Sequence, residues 1–148
     1  MSGSIRLARP GDLDALLALQ AAWPGTPPWT RAHFAAELDA ERGRLLVFDE
    51  GLGPEAFAAL RLVPPESELT LVAVRPDRLR RGLARRLLER IHDLARAAGC
   101  ASCALEVSEA NGPARALYAS LGYRVVGRRP KYYNDASDAV LMALDLLA

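Results

Sequence analysis

The chain has 148 residues, of which 51% are hydrophobic and 25% charged, with 19 basic against 18 acidic side chains and a net charge of +1. That is enough chain to enclose a hydrophobic core, and the composition is that of a water-soluble globular protein, so residues 1–148 are read as a single domain. Near-neutral charge excludes a general electrostatic pull toward nucleic acid or anionic lipid. No stretch reaches membrane length and the first residues hold no signal-like apolar run, so a cytoplasmic protein without membrane association is expected.

The first strand is expected over residues 4–10. A helix over 11–23 follows, with Leu13, Leu16, Leu17 and Gln20 at helical spacing and Asp12 as its N-cap. A proline-rich loop leads to a second helix, capped by Thr30 and passing through Phe34 and Leu38. Two strands, 44–50 and 56–63, flank the turn GLGPE. Gly51-x-Gly53 in that turn opens no helix and is therefore no dinucleotide fingerprint. A fourth strand covers 68–74. The strongest helix covers 82–98, with Leu83, Leu87, Leu88, Ile91, Leu94, Ala95 and Ala98 on one face and Gly99 as its stop. A fifth strand over 102–107 precedes a short helix running from an Asn111 cap to a Gly122 stop. Strands 123–129 and 138–146, around a loop, complete the order β-α-α-β-β-β-α-β-α-β-β. Hairpins mixed with helical crossovers imply a mixed α/β architecture with helices on both faces of the sheet.

Cys100 and Cys103 form a lone C-x-x-C. No second ligand pair accompanies it, so no metal is expected. Extended residues three apart have α-carbons about 10 Å apart, beyond disulfide reach, which leaves two buried or half-buried thiols. His33 and His92 have charged neighbours at helical spacing (Glu37; Arg85, Glu89 and Arg96) and read as a solvated face.

The stretch RPDRLRRGLARRLLER concentrates arginine around one glycine. Arg85, Arg86 and Arg90 read as the wet side of a helix, with Arg86 placed to pair with Glu89. Residues 78–84 read differently. A helix start leaves N–H groups unpaired and carries partial positive charge, so it is a seat for phosphate. Glycine there is a cost to the helix that close approach of a ligand explains.

Three motifs carry a resemblance to the GCN5-related N-acetyltransferases. Arg80, Arg81, Gly82, Leu83 and Ala84 after a strand resemble the family's acetyl-CoA pyrophosphate loop, with Leu79 where Gln or Arg is usual. A loop that works mainly through backbone N–H groups tolerates that change. NGPARALYASLGY, from Asn111 to Tyr123, matches every fixed position of N-x-x-A-x-x-L-Y-x-x-x-G-F/Y. RRPKYYNDASDAVLMALDL and PPWTRAHFAAEL are similar to segments of the protein N-terminal acetyltransferases of that family. The resemblance implies a mostly antiparallel sheet of about seven strands and acetyl-CoA as cosubstrate. It further implies an acceptor at a protein N-terminus, the N-terminal alanine of a small-subunit ribosomal protein; a monomer or weak homodimer is expected, and near-neutral charge without a recognition motif argues against direct nucleic-acid contact.

Individual residues carry two readings each. Alternation along the fifth strand puts Glu106 with Ser102 and Ala104, opposite Cys103, Leu105 and Val107, so it is either on an exposed face or functional. The resemblance makes it the general base, acting through water. Tyr118 reads by itself as a core tyrosine beside Ala114, Leu117 and Leu121; the resemblance makes it the acid that protonates the departing sulfur. Val72, Ala73 and Val74 read as core strand, and the resemblance has Val72 and Val74 pair through their backbones with the pantetheine arm, while Asn111 joins the cofactor-binding set. Tyr132 and Tyr133 are two aromatics on a hairpin or, by resemblance, the wall of a peptide groove, with Trp29 facing them or capping the core. Ser108 and Ala110 stand where the family commonly has arginine and serine. A small amine or lysine acceptor, a non-catalytic acetyl-CoA-binding module, and nucleic-acid binding are the alternatives.

Overall fold

The computed structural model describes residues 3–23, 29–133 and 135–147. The proline-rich loop over 24–28 and Asn134 of the last loop lie outside the described residues. The strands are β1 (Ser4–Leu7), β2 (Gly43–Asp49), β3 (Pro54–Val63), β4 (Glu66–Val74), β5 (Ser102–Ser108), β6 (Arg124–Arg129) and β7 (Ala139–Asp145). The helices are α1 (Leu13–Ala21), α2 (Arg31–Asp39), α3 (Leu83–Ala97) and α4 (Gly112–Ser120), with single 3-10 turns at Pro10–Asp12 and Pro76–Arg78. Among the described residues the strands form one seven-stranded sheet in the order β1-β2-β3-β4-β5-β7-β6. Within it only the β4–β5 pair is parallel, and its single paired register is Glu68 opposite Ala104.

Each face of the sheet buries its own core. Leu83, Leu87, Leu88, Ile91 and Ala95 of α3 pack with Tyr118 of α4 onto Leu46, Phe48, Leu60, Leu105, Val107 and Met142. Leu87, Leu88 and Ile91 are completely enclosed, each contributing about 1.5–3 kcal/mol of hydrophobic stabilisation. The other face packs Leu16 and Leu19 of α1 and Phe34 of α2 onto Leu45, Val47, Phe57, Ala59 and Ala73. Expected helices on both faces are therefore found, and the expected alternation of β5 holds, with Cys103, Leu105 and Val107 inward. Ala98 departs from the predicted stripe. It is exposed, because α3 ends at Ala97 and Ala98 is the residue that caps it.

Two further expectations are corrected. Asp12 precedes α1, but its side chain does not cap the helix. Its carboxylate accepts from Arg6 Nη1 at 2.7 Å, from Arg6 Nη2 at 3.0 Å and from the Arg9 N–H at 2.8 Å. Arg6 also reaches Asp49 at 2.8 Å, tying β1 and β2 to the first turn, so a charge-assisted pair has replaced a cap. His92 is not on a solvated face. It is 4% exposed, with Nε2 2.8 Å from the Tyr123 hydroxyl. Burial, reinforced by the nearby Arg96 charge, pulls its pKa down to about 4. Charged neighbours in α3 suggested solvent, but the chain beyond α4 folds back over this position. Cys100 and Cys103 are free and buried, as expected, and burial pushes the Cys103 thiol up. Among the described residues no helix is long and apolar enough to cross a membrane.

Candidate active site

The chain leaves β4 through Arg75, makes the 3-10 turn, and enters α3 at Gly82. Gly82 has φ +74°, a left-handed backbone that other residues adopt only with strain. A Cβ built on it would meet nothing within 4 Å, so the requirement for glycine is conformational and the space before the helix is open. Arg80 is left-handed too, at φ +63°. Among the described residues no side chain caps α3 at Gly82, which leaves the first-turn N–H groups and the positive end of a four-turn helix facing outward. The loop is braced from beneath: Arg78 Nε donates to buried Glu55 at 2.9 Å, and the Arg75 N–H donates to the Glu55 carbonyl at 2.8 Å. Arg85, Arg86 and Arg90 are exposed as expected, with Arg86 lying over the Phe48 ring at 5.0 Å.

Among the described residues β4 and β5 share a single parallel register, which leaves the Val72–Val74 end of β4 without a paired strand on that side. Because Arg75 bonds to Glu55 of β3, alternation turns the backbone groups of Val72 and Val74 away from β3 and toward that unpaired side. Trp23 agrees with that direction, since its indole Nε1 donates to the Val74 carbonyl at 2.9 Å. Ala73 directs its backbone at β3. The side chains of Val72 and Val74 still pack on the core, so the two roles considered for them are sterically compatible.

Glu106 projects from β5 on the side away from the larger core, and its carboxylate is 3.2 Å from Arg129 Nη2. The Arg129 guanidinium also lies over the Tyr132 ring, 5.6 Å from its centroid. Tyr132 and Tyr133 meet edge to face at 5.1 Å. Tyr118 is buried, and burial, with a smaller contribution from Tyr133, pushes its pKa up to about 12. Tyr133 is raised by burial, then by Glu106 and Tyr132. The contacts thus join Glu106, Arg129, Tyr132 and Tyr133 into one cluster, and Tyr133 lies within electrostatic range of Tyr118. Asn111 uses its side chain to accept the Ala114 N–H at 3.2 Å, capping α4 as expected.

Trp29 stands apart from this cluster. Gln20 clasps its backbone from both sides, Nε2 donating to the Trp29 carbonyl at 2.8 Å and Oε1 accepting its N–H at 2.7 Å. Its ring stacks on His33 at 4.0 Å and packs beside Phe34, capping the α1–α2 core, and makes no ring contact with Tyr132 or Tyr133 among the described residues. One residue of the site escaped the sequence, and another, Ser108, was marked only as a departure from the family pattern. Arg129 was visible only as a motif letter, because its partners are brought to it by the sheet. Ser108 bonds Ser137 Oγ at 2.8 Å and so ties the end of β5 to the tyrosine loop. A carboxylate and a phenol beside an open strand edge and an uncapped helix start can bind an extended, phosphate-bearing ligand and move a proton at each end of a group transfer.

The sequence profile of the Acetyltransferase (GNAT) family matches residues 13–123. The chain is 43% identical over 123 residues to the [ribosomal protein bS18]-alanine N-acetyltransferase of Salmonella typhimurium, covering 80% of this chain and 82% of that protein. It is 37% identical over 122 residues to the enzyme of the same name from Escherichia coli, with the same coverage. The crystal structure of the ribosomal-protein-S18-alanine N-acetyltransferase from Escherichia coli superposes with a TM-score of 0.88 at 34% identity, covering 97% of this chain and 94% of that one.

Proposed function

The chain belongs to the GNAT family of acetyltransferases, and from that membership we propose that it transfers acetyl from acetyl-CoA to a protein N-terminal α-amine, that of alanine on a small-subunit ribosomal protein. The observation that carries this reading is the left-handed, sterically open start of α3 at Gly82, a seat for the phosphates of a CoA thioester.

Acetyl-CoA supplies a thioester carbonyl open to attack by an amine. The residues present fit such a molecule. The left-handed Gly82 leaves open space before α3, where the backbone N–H groups of the segment Leu79, Arg80, Arg81, Gly82, Leu83 and Ala84 suit a pyrophosphate. The backbones of Val72 and Val74 suit the amides of a pantetheine arm. Glu106 takes the amine proton through water. Tyr118, held protonated far above neutral pH, gives its proton to the departing thiolate. A thiol with an ordinary pKa near 8.5 needs only modest help to leave, so Tyr118 assists more than it enables.

Acceptor choice follows from magnitude. An α-amine titrates near 7.7–8.0 and lysine near 10.4, so neutralising lysine at pH 7 costs roughly 3 kcal/mol more. A carboxylate base therefore suits N-termini. Tyr132 and Tyr133 supply the wall and hydrogen-bonding groups of a peptide groove. On the same reading, residues 1–148 act as one catalytic domain in the cytoplasm.

The test is acetyl transfer, read by mass, onto peptides beginning with alanine, serine or methionine, and onto an N-terminally blocked peptide containing lysine. Fastest transfer to alanine with none to the blocked peptide is expected. Product on the blocked peptide alone would overturn the proposal.

A further inference from the structure

Arg115 occupies a position that the family motif leaves open, one helical turn before Tyr118 on the same face of α4. Its backbone N–H belongs to the helix, donating to the Asn111 carbonyl at 3.1 Å. Its guanidinium Nε is shielded from solvent and has no hydrogen-bond acceptor among the described residues. Shielded donors are almost always satisfied, and a guanidinium is the most demanding of them.

The surroundings show what the missing acceptor is not. The far end of α4 is tied to the first turn of α3 by Arg85 Nη2, which donates to Ser120 Oγ at 2.5 Å. Arg115 therefore lies roughly 7.5 Å along the helix axis from the residue that contacts α3. Residues 79–88 and 111–121 together hold Arg80, Arg81, Arg85, Arg86 and Arg115, and no Asp or Glu. Elsewhere the chain matches its arginines with acids, as Arg6, Arg78, Arg128 and Arg129 do. Glu89 and Glu109 border these stretches, but Glu109 pairs with Arg128 and no acid bonds Arg115 Nε among the described residues, so that donor calls for an anion from outside the chain.

We propose that Arg115 is a phosphate ligand of bound acetyl-CoA, donating from Nε to a phosphate oxygen and so adding a side-chain contact to the backbone seat at the start of α3. The inference rests on the acetyl-CoA reading above and extends it to a residue that the family motif does not specify.

Calorimetric titration of the wild type, Arg115→Met and Arg115→Lys with CoA and with 3′-dephospho-CoA tests it, alongside melting curves without ligand. Methionine keeps the apolar stem and removes the donor. Arg115→Met is expected to weaken CoA about tenfold, a typical effect of losing one charge-assisted hydrogen bond, while the unliganded melting temperature stays the same or rises because an unsatisfied donor has gone. Arg115→Lys is expected to fall between. If the loss persists with 3′-dephospho-CoA, the contact is to the pyrophosphate, and if it disappears, the contact is to the 3′-phosphate. Unchanged CoA affinity in Arg115→Met, or a lowered melting temperature with unchanged affinity, would overturn the proposal. Failure of the wild type to bind CoA would instead overturn the acetyl-CoA reading itself.

Discussion

Glu106 and Arg129 meet from strands that are not neighbours in the sheet, β5 and the end of β6 with β7 between them, and the two differ in what each contributes. Alternation in β5 makes Glu106 legible from the sequence, because a carboxylate on a strand with one buried face must be explained. Arg129 is not legible in that way, since nothing local says which acid it will meet. At 55% exposure its ion pair is worth little in stability, at most about 1 kcal/mol, so its value is in holding the carboxylate and the Tyr132 ring in place. Glu106→Gln is expected to lower kcat by about 100-fold or more, the usual range for removing a general base. Arg129→Met is expected to lower it less than about tenfold, and to add nothing in the Glu106→Gln background, since it acts through that carboxylate. Steady-state rates of the two single variants and the double variant check this; a further drop in the double variant would assign Arg129 an independent role. Tyr118→Phe is expected to slow transfer by about tenfold without abolishing it, measured in the same assay.

At the scale of elements, periodicity located every strand and helix, and the α3 stripe was found almost whole because one period runs through the entire helix. Caps were harder. Thr30 and Asn111 cap α2 and α4 as their sequences suggested, accepting the N–H groups of His33 and Ala114. Asp12 has the same residue chemistry but a stronger competitor six residues upstream, and a charged partner prevails over a backbone N–H. Trp29 was ambiguous for a related reason: the Gln20 clasp that fixes it belongs to another helix. The start of α3 is the element whose local sequence and function coincide. Gly82→Ala introduces no clash, because the space beyond it is open, but it forces a side chain into left-handed backbone. A cost of about 1 kcal/mol is expected, visible as a small fall in melting temperature. The new methyl also stands at the proposed pyrophosphate seat, so CoA affinity should fall more than stability does. Calorimetry beside thermal melting separates the two, and an unchanged CoA affinity would argue against the seat.

At the scale of the whole molecule, the mixed sheet with helices on both faces was legible from element order, whereas burial set by distant chain was not. His92 shows why. Its own helix surrounds it with charge, and the packing of Tyr123 after α4 helps to remove it from water. That packing has a global consequence. In the unfolded chain His92 takes a proton near its ordinary pKa of 6.5, while in the folded protein it does so only near 4. Between those values the unfolded state binds more protons, so stability is complete above about pH 6.5 and is lost as the pH falls toward 4, by up to about 3 kcal/mol. A second loss follows at lower pH. Asp12 and Asp49 are held below their ordinary range chiefly by hydrogen bonds from Arg6, so their contribution is present above the ordinary carboxylate pKa and disappears as the pH falls through the folded values. Urea midpoints measured from pH 8 to pH 3 should therefore fall in two stages. His92→Gln should flatten the upper stage, whatever it does to the absolute level, and Arg6→Met should flatten the lower one. An upper stage that survives in His92→Gln would place that proton elsewhere.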